Sequence, residues 1–446
     1  MYGAIRRTSL ELVDAASLSV FRIAFGVLLV LETIRFFAHG WIRDHYLTPE
    51  FLFKYSGFEW VVPWPGDALY WHFGVMGVFA AMIAAGFCYR IAAVGFLLCF
   101  GYVFLLERAN YLNQYYLVLS VAFILCFIRA ERGWSVDARL SGRFGLDKVP
   151  RWTIWALRLQ FEVMLLFAGL VKINGDWLRG EPLALWLAPY AESPVVGWLV
   201  QQPWFSVALS WTVIVLHLAG ALLLLHRRCR FAALIFYVVF HLISATVFQI
   251  GLFPWLTLAG TLLFFDPDWP KQMWSRQERT ERVAPQGAWV HAQAAVPSAW
   301  TRAGLGIFFT LQLVVPLRFL FYPGNVAWSG EGELFAWRMK LDDKRAEARF
   351  IVIEPATGRR WEVDPRQYLR PRQLQMMAPR PDLIIQFAKH LKGTWIEREG
   401  VSDVEVRAVV MASLNGRPPA PLIDSRTDLT TAARTSWHYE WILPLR

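Results

Sequence analysis

The sequence predicts a polytopic α-helical membrane protein of eight to nine transmembrane helices with a small C-terminal extracytoplasmic α+β domain. Hydrophobic residues make up 56% of the 446 positions and the mean hydropathy is positive, beyond what an ordinary soluble chain carries. They are gathered in runs long enough to cross a bilayer, separated by mostly basic connections. Tryptophan (23) and phenylalanine (33) are abundant, as aromatic belts at two membrane interfaces require. From about Tyr322 the composition turns to that of a small folded domain.

The expected spans are residues 17–37, 69–88, 91–106, 112–128, 152–171, 205–225, 231–248, 250–265 and 304–321. The pair meeting near Gln249 reads equally as one broken helix, hence eight or nine. Glu11 and Asp14 precede the first span and no cleavage pattern follows it, so it reads as a retained anchor. Alternate connections carry the basic residues. Arg6, Arg7, Arg90, Arg129, Arg132, Arg139, Arg143, Lys148, Arg151, Arg227, Arg228, Arg230, Lys271, Arg276, Arg279 and Arg282 lie on one side. Only Arg43, Lys54, Arg108, Lys172 and Arg179 lie on the other before the last span. The positive-inside rule then places the N-terminus in the cytoplasm. Nine spans put Lys172 and the C-terminal region together on the extracytoplasmic side. The net charge of +10 is thus a topology signal, and no nucleic-acid partner is expected.

The expected division is a transmembrane domain at 1–321 and an extracytoplasmic domain at 322–446. In the latter, Arg349 to Ile353 and Trp361 to Val363 flank Pro355-Ala356-Thr357-Gly358, a hairpin signal. Pro381-Asp382 opens an amphipathic helix with Leu383, Ile384, Phe387 and Leu391, expected to end near Gly393. Val404, Val406, Ala408 and Val410 alternate with polar residues up to Asn415-Gly416, a strong turn signal. The stretch 271–298 reads as a cytoplasmic linker. Cys88, Cys99, Cys126 and Cys229 form no CxxC pair and read as buried hydrophobes.

The candidate chemistry lies in the membrane. Lys172 sits where an apolar run ends, in Ala168-Gly169-Leu170-Val171-Lys172-Ile173-Asn174-Gly175-Asp176-Trp177. Near hydrocarbon the charged amine loses hydration, so its pKa falls toward values suited to a general base. The plainer reading is a snorkelling lysine that closes a helix end. Arg158, Gln160 and Glu162 occupy the same helix; Arg158 and Glu162, spaced i,i+4, are placed to pair. Arg22 and Glu32 in the first span, His217 and His241 later, read either as internal polar contacts or as site residues. No HExxH, paired carboxylates or serine–histidine arrangement is present, and no metal is indicated. Aromatic-lined spans and one candidate base suit a lipophilic substrate entering from the lipid bilayer.

At these residues the chain resembles the vitamin K-dependent γ-glutamyl carboxylases and their bacterial relatives with the horizontally transferred transmembrane (HTTM) domain. One matching stretch is Gly86-Phe87-Cys88-Tyr89-Arg90-Ile91, with Tyr102 to Leu106 and Trp134-Ser135-Val136-Asp137. A second runs from Ala168 through Lys172 to Trp177, and a third holds Phe240-His241 with Phe248, Ile250-Gly251 and Phe253. The C-terminal part adds Pro323-Gly324-Asn325-Val326, Trp337-Arg338-Met339 and Arg434-Thr435-Ser436-Trp437.

The resemblance implies that Lys172 is the base deprotonating vitamin K hydroquinone, which O2 converts to the epoxide through a strongly basic alkoxide. That alkoxide removes a glutamate γ-proton and the carbanion takes up CO2, in a pocket that excludes water. It further implies a quinone and glutamate pocket drawn from Asn113, Gln114, Arg158, Gln160, Trp177, His217, His241, Trp337, Arg338 and Met339. The partners implied are a lipophilic quinol and a glutamate-containing peptide or protein; the location implied is a bacterial inner membrane. Three positions depart from the animal enzymes: Gln114 stands for a histidine, Ser244 for an asparagine and His217 for an aspartate. The animal enzymes also have a further C-terminal portion, so propeptide-directed recognition is not expected. Three functions stay open: the coupled carboxylase, a quinol epoxidase or oxygenase without carboxylation, and a non-catalytic receptor or assembly factor.

Overall fold

The computed structural model describes residues 9–142, 147–248, 250–274, 296–432 and 438–445. The motif at 434–437, Gln249 and most of the linker at 271–298 lie outside the described residues. Strand β1 (Leu12–Asp14) leads into α1 (Ala16–Ala38), α2 (Ala68–Ala85), α3 (Tyr89–Leu106) and α4 (Asn113–Phe127). Strand β2 (Lys148–Pro150) pairs antiparallel with β1 and runs directly into α5 (Arg151–Leu170). The short α6 (Gly175–Leu178) and α7 (Glu181–Leu187) follow, then α8 (Pro203–Leu225), α9 (Arg230–Phe248), α10 (Phe253–Thr261) and α11 (Ala299–Val314).

Seven of these are long and apolar enough to span a membrane among the described residues: α1, α2, α3, α5, α8, α9, and α11 with its 3₁₀ continuation to Phe321. Two shorter apolar helices, α4 and the α10 stretch Phe253–Phe264, complete the nine expected runs. α9 and α10 are separate helices that pack on each other, divided by a turn in which Gly251 has φ +60°. The protein is therefore a polytopic membrane protein with a sheet-containing C-terminal domain.

The charge-rich connections are tied together at one end of the bundle. Arg22 of α1 is fully buried and donates to Ile83 O (2.7 Å), Ala84 O (2.6 Å), Ala130 O (3.1 Å) and Trp134 O (2.8 Å). One guanidinium thus satisfies carbonyls left over at the end of α2 and in the loop after α4. Gly86, at φ +64°, caps α2, and a Cβ there would lie 2.7 Å from Arg22 Nη1, so glycine is needed for both the turn and the approach. At the same end Lys271 bridges Asp14 (2.8 Å) and Asp147 (3.2 Å), and Arg227 meets Asp266 at 2.8 Å.

The C-terminal sheet has the order β4-β3-β5-β6, with β3 Lys344–Ile353, β4 Arg360–Val363, β5 Glu405–Leu414 and β6 Ala420–Pro421, all antiparallel. The expected hairpin is β3–β4. Asn415 (φ 51°) and Gly416 (φ 78°) make the turn after β5, both with the positive φ such a turn demands. Helix α12 (Pro381–Glu399) buries Leu383, Ile384, Phe387 and Leu391 against the sheet, each worth about 1.5–3 kcal/mol. It runs through Gly393 to a left-handed cap at Gly400, later than expected. A lone helical glycine costs only about 1 kcal/mol, which that buried face outweighs. Phe53 and Ala109 from the membrane-domain loops belong to this domain's core, so it is seated on the bundle. The cysteines are free, but Cys88 is exposed and the other three half-buried, contrary to expectation, because Cys88 caps α3 with φ 43° at the bundle's edge.

Arg22→Met should lower stability by about 3–5 kcal/mol, because the apolar chain removes the buried donor shared by four carbonyls, of which Ile83 O keeps the Gly86 N–H at 3.1 Å. Thermal unfolding in detergent measures this; a midpoint equal to wild type would show that water replaces the guanidinium.

Candidate functional site

The residues around Lys172 build its setting one by one. α5 stops at Leu170, and Asn174 caps α6 by accepting from Trp177 N–H at 3.1 Å, so the chain turns sharply between them. Gly169 lets α8 approach, since a Cβ there would lie 2.8 Å from Leu218 and 2.9 Å from His217. Trp177 is buried, donates from Nε1 to Leu341 O at 2.6 Å, and places its ring 5.0 Å from the Lys172 amine. Asp176 accepts from both Arg417 amino groups and from Asn415, each at 2.7 Å. Those Arg417 hydrogen bonds hold its carboxyl well below the usual range, at about 2. The conspicuous stretch after Ala168 is thus a mount for one amine.

Lys172 itself is 3% exposed. Its Nζ donates to Ala168 O at 2.9 Å and to Met339 O at 3.0 Å. No ion pair involves it among the described residues. Burial pulls its pKa from 10.5 down to about 7, and the nearby Arg338 guanidinium adds to the fall. Two carbonyls accept two of its N–H bonds. A neutral amine so held keeps one tetrahedral direction for its lone pair.

Met339 belongs to a segment that descends from the C-terminal domain into the bundle. Phe335 (φ 59°), Trp337 (φ 53°) and Lys340 (φ 45°) all have left-handed backbone, a cluster of strain of the kind found at functional sites. The segment is pinned by Phe335 N–H to Tyr111 Oη (2.9 Å), Arg318 to Leu334 O (2.5 Å) and Trp337 Nε1 to Gln312 Oε1 (3.1 Å).

Beneath it lies a cavity of about 890 Å³. Asn113 and Gln114, the first residues of α4, and Phe253, the first of α10, line it. Because these two helices are short, the bundle is hollow at this end. Lys172, Trp177, His217, His241, Arg338 and Met339 complete the wall around the amine. Asn113 donates to Arg338 O at 3.3 Å. His217 Nδ1 lies 2.7 Å from Val213 O, and His241 is 2% exposed. One part of the lining is apolar and aromatic: Trp186, Val213, Phe240, Phe248, Ile250 and Phe253. Another is basic, with Arg35, Arg108, Arg338, Lys340, Arg372 and Arg380 against Glu32, Glu333 and Asp342. The Arg338 side chain is 7% exposed and stands 3.8 Å from Glu333, while the Lys340 amine lies over the rings of Phe248 (4.9 Å) and Trp186 (5.6 Å). No group of three metal-ligating side chains exists among the described residues.

Three expected site residues are elsewhere. Arg158 donates to Leu263 O (2.8 Å) and Phe265 O (3.0 Å) at the bundle's opposite end. It makes no pair with Glu162, whose Oε1 is buried without a partner among the described residues, because the free carbonyls of α10's end take the guanidinium instead. Gln160 and Trp337 stand behind the wall, both directed at Gln312 Oε1, which Gln312 combines with donation to Tyr116 Oη at 2.7 Å. Gln312 was readable as a lone amide in an apolar run. Arg372 and Arg380 carried no such signal, being charges on a soluble domain.

The HTTM domain model matches residues 11–269, and the model of the vitamin K-dependent gamma-carboxylase lumenal domain matches residues 297–446. The chain belongs to the vitamin K-dependent γ-carboxylase family. No solved structure matches it. A γ-carboxylase-like membrane protein therefore carries, at the junction of its two matched regions, an amine buried beside a half-aromatic, half-basic cavity.

Asp176→Asn and Arg417→Ala should show a coupling of about 1 kcal/mol in a double-mutant cycle of thermal or denaturant unfolding, the pair being only part-buried. Additive effects would mean that the clamp contributes nothing to seating the domain.

Proposed function

We propose that this protein is an integral-membrane vitamin K-dependent γ-glutamyl carboxylase-type enzyme that converts vitamin K hydroquinone to its epoxide with O2 and couples this to the addition of CO2 to glutamate side chains. The observation that carries the reading is the setting of Lys172: a buried amine, held by two carbonyls and by no carboxylate among the described residues, facing a cavity. Such an amine is neutral for a substantial fraction of the time near pH 7, which is where a general base works best. It takes the hydroxyl proton of the hydroquinone on its remaining tetrahedral direction. The Trp177 ring face then stabilises the ammonium that forms. Deprotonated hydroquinone supplies, with O2, the strong base that acts on glutamate. The chain's own share is to hold both substrates and keep water out.

In this reading the aromatic lining takes the quinol and the basic lining takes the carboxylate of a glutamate-bearing peptide. Asn113, Gln114, Trp177, His217, His241, Arg338 and Met339 form the pocket, Gln160 and Trp337 support it from behind, and Arg158 takes no part in it. The end tied by Arg22 and Lys271 is cytoplasmic, as the positive-inside rule supports, and the N-terminus with it, in a bacterial inner membrane. The C-terminal domain, divided from the bundle at 321/322, is extracytoplasmic.

One observation favours a second reading, epoxidation without carboxylation. Gln114 lines the cavity where the animal enzymes have histidine, and an amide cannot hold or pass a proton near neutral pH. The same assay decides both: purified protein with reduced vitamin K, O2, labelled bicarbonate and a glutamate peptide, with epoxide and carboxylated peptide followed separately. More epoxide than carboxylated product is expected. Absence of both products would overturn the enzymatic reading.

Lys172→Ala should lower epoxidation by at least about 100-fold. The wild-type rate should rise with pH through about 7 and then level, since the neutral amine is the active form. A small primary amine should restore part of the variant's rate, with the rise displaced to that amine's own pKa. Wild-type speed in the variant would make Lys172 a mere helix-end lysine. A thiol-accessibility map should place a cysteine at Asn415 outside the cytoplasm; cytoplasmic labelling would invert the topology and the site with it.

A further inference from the structure

The apolar part of the cavity holds two imidazoles on neighbouring helices, His217 of α8 and His241 of α9. The Phe240 ring stands between them, 5.3 Å from the first and 5.1 Å from the second. Their hydrogen-bonding states differ. His217 Nδ1 lies 2.7 Å from Val213 O, a contact that only an N–H can make, so the neutral ring keeps its lone pair on Nε2. His241 lines the cavity at 2% exposure, yet neither of its ring nitrogens has a partner among the described residues.

The surroundings of His241 are rings: Tyr237 stacked at 6.0 Å, Phe240, and Phe253 edge-on at 6.1 Å. The nearest hydroxyl among them is already committed, since Tyr237 donates to Leu216 O at 3.0 Å. A neutral imidazole always presents one donor and one acceptor. Burying both unmet among aromatic rings is a cost that a phenylalanine would avoid, so packing does not account for this side chain. What remains is the cavity it faces.

We propose that His241 is the hydrogen-bond anchor for a quinone oxygen in the aromatic part of the cavity. It donates to the carbonyl of the quinone or accepts from the hydroxyl of the hydroquinone, so that the ring is held with another oxygen turned toward Lys172. This rests on the quinol reading of the site. It explains why a polar side chain that can do either job stands where the ligand changes from hydroxyl to carbonyl during turnover. Either ring nitrogen serves, because neither is committed.

The test uses the full-length protein in nanodiscs with vitamin K quinone as probe, and reads quenching of intrinsic tryptophan fluorescence, since Trp177 and Trp186 line the cavity. His241→Phe should bind the quinone about tenfold more weakly, the equivalent of one hydrogen bond. Its ligand-free unfolding temperature should equal or exceed that of wild type. His241→Gln, which keeps a donor and an acceptor, should recover most of the affinity. A naphthalene analogue with the same isoprenoid tail but no oxygens should bind wild type and His241→Phe alike. Equal quinone affinity in wild type and His241→Phe would overturn the anchor alone. So would failure of His241→Phe to fold, because a ring that fits the cage should not unfold it. Wild-type protein that binds no quinone would overturn the quinol reading, and the anchor with it.

Discussion

The rest of the molecule depends on how one buried amine is solvated. A lysine taken out of water needs acceptors for its N–H groups, and the kind of acceptor decides its charge. A carboxylate would fix it as an ammonium. Lys172 instead meets two carbonyls, Ala168 O from its own helix and Met339 O from the C-terminal segment. Ala168 lies in the last turn of α5, where carbonyls are released from helical bonding. Helix termination and placement of the amine are therefore the same event.

The second carbonyl has larger consequences. Met339 lies in a segment of the C-terminal half, so the chain must reach from the sheet domain back into the bundle. It does so through three non-glycine residues with positive φ, each costing of order 1 kcal/mol or more. That strain is offset by what anchors the domain on either side of the segment. Phe53 and Ala109 enter the domain's core, Gln373 Nε2 donates to the buried Glu107 carboxyl at 2.9 Å, and Arg417 grips Asp176. Burial raises the Glu107 pKa to about 7, and its charged form is sustained by N–H donors from Phe53 (3.1 Å) and Ala109 (2.9 Å). The docking polar groups thus do for the domain what the carbonyls do for Lys172: they replace water at a dry interface.

Lys172 was legible in the sequence because an amine beside hydrocarbon is conspicuous, and the residues after it could be read as one unit. The nine apolar runs were legible for the same reason. What sequence could not convey is depth. Arg158, Gln160, His217 and His241 all interrupt apolar helices, and each is costly there, yet Arg158 serves the bundle's far end while the histidines face the cavity. Periodicity assigns a face to each, but which neighbour occupies that face depends on how α8, α9 and α10 are arranged around α5. The Arg158–Glu162 spacing permitted a pair; the carbonyls of Leu263 and Phe265 were simply better placed. The basic lining was hidden differently, since Arg372 and Arg380 look like solvated charges until the domain is set upon the bundle.

The two faces of the cavity act on Lys172 in opposite senses. Arg338, from the basic side, disfavours the ammonium, and desolvation does so more strongly. The Trp177 ring, 5.0 Å away, favours it. In the reaction proposed for it, the amine needs both influences. Desolvation keeps the amine free of a proton before reaction, and a local acceptor of positive charge makes the protonated state reachable afterwards. A carboxylate bound at Arg338, as the proposed glutamate site would hold, would remove only the smaller, coulombic part of the depression and leave desolvation and the ring contact unchanged, making the amine a stronger base with a smaller neutral fraction near pH 7.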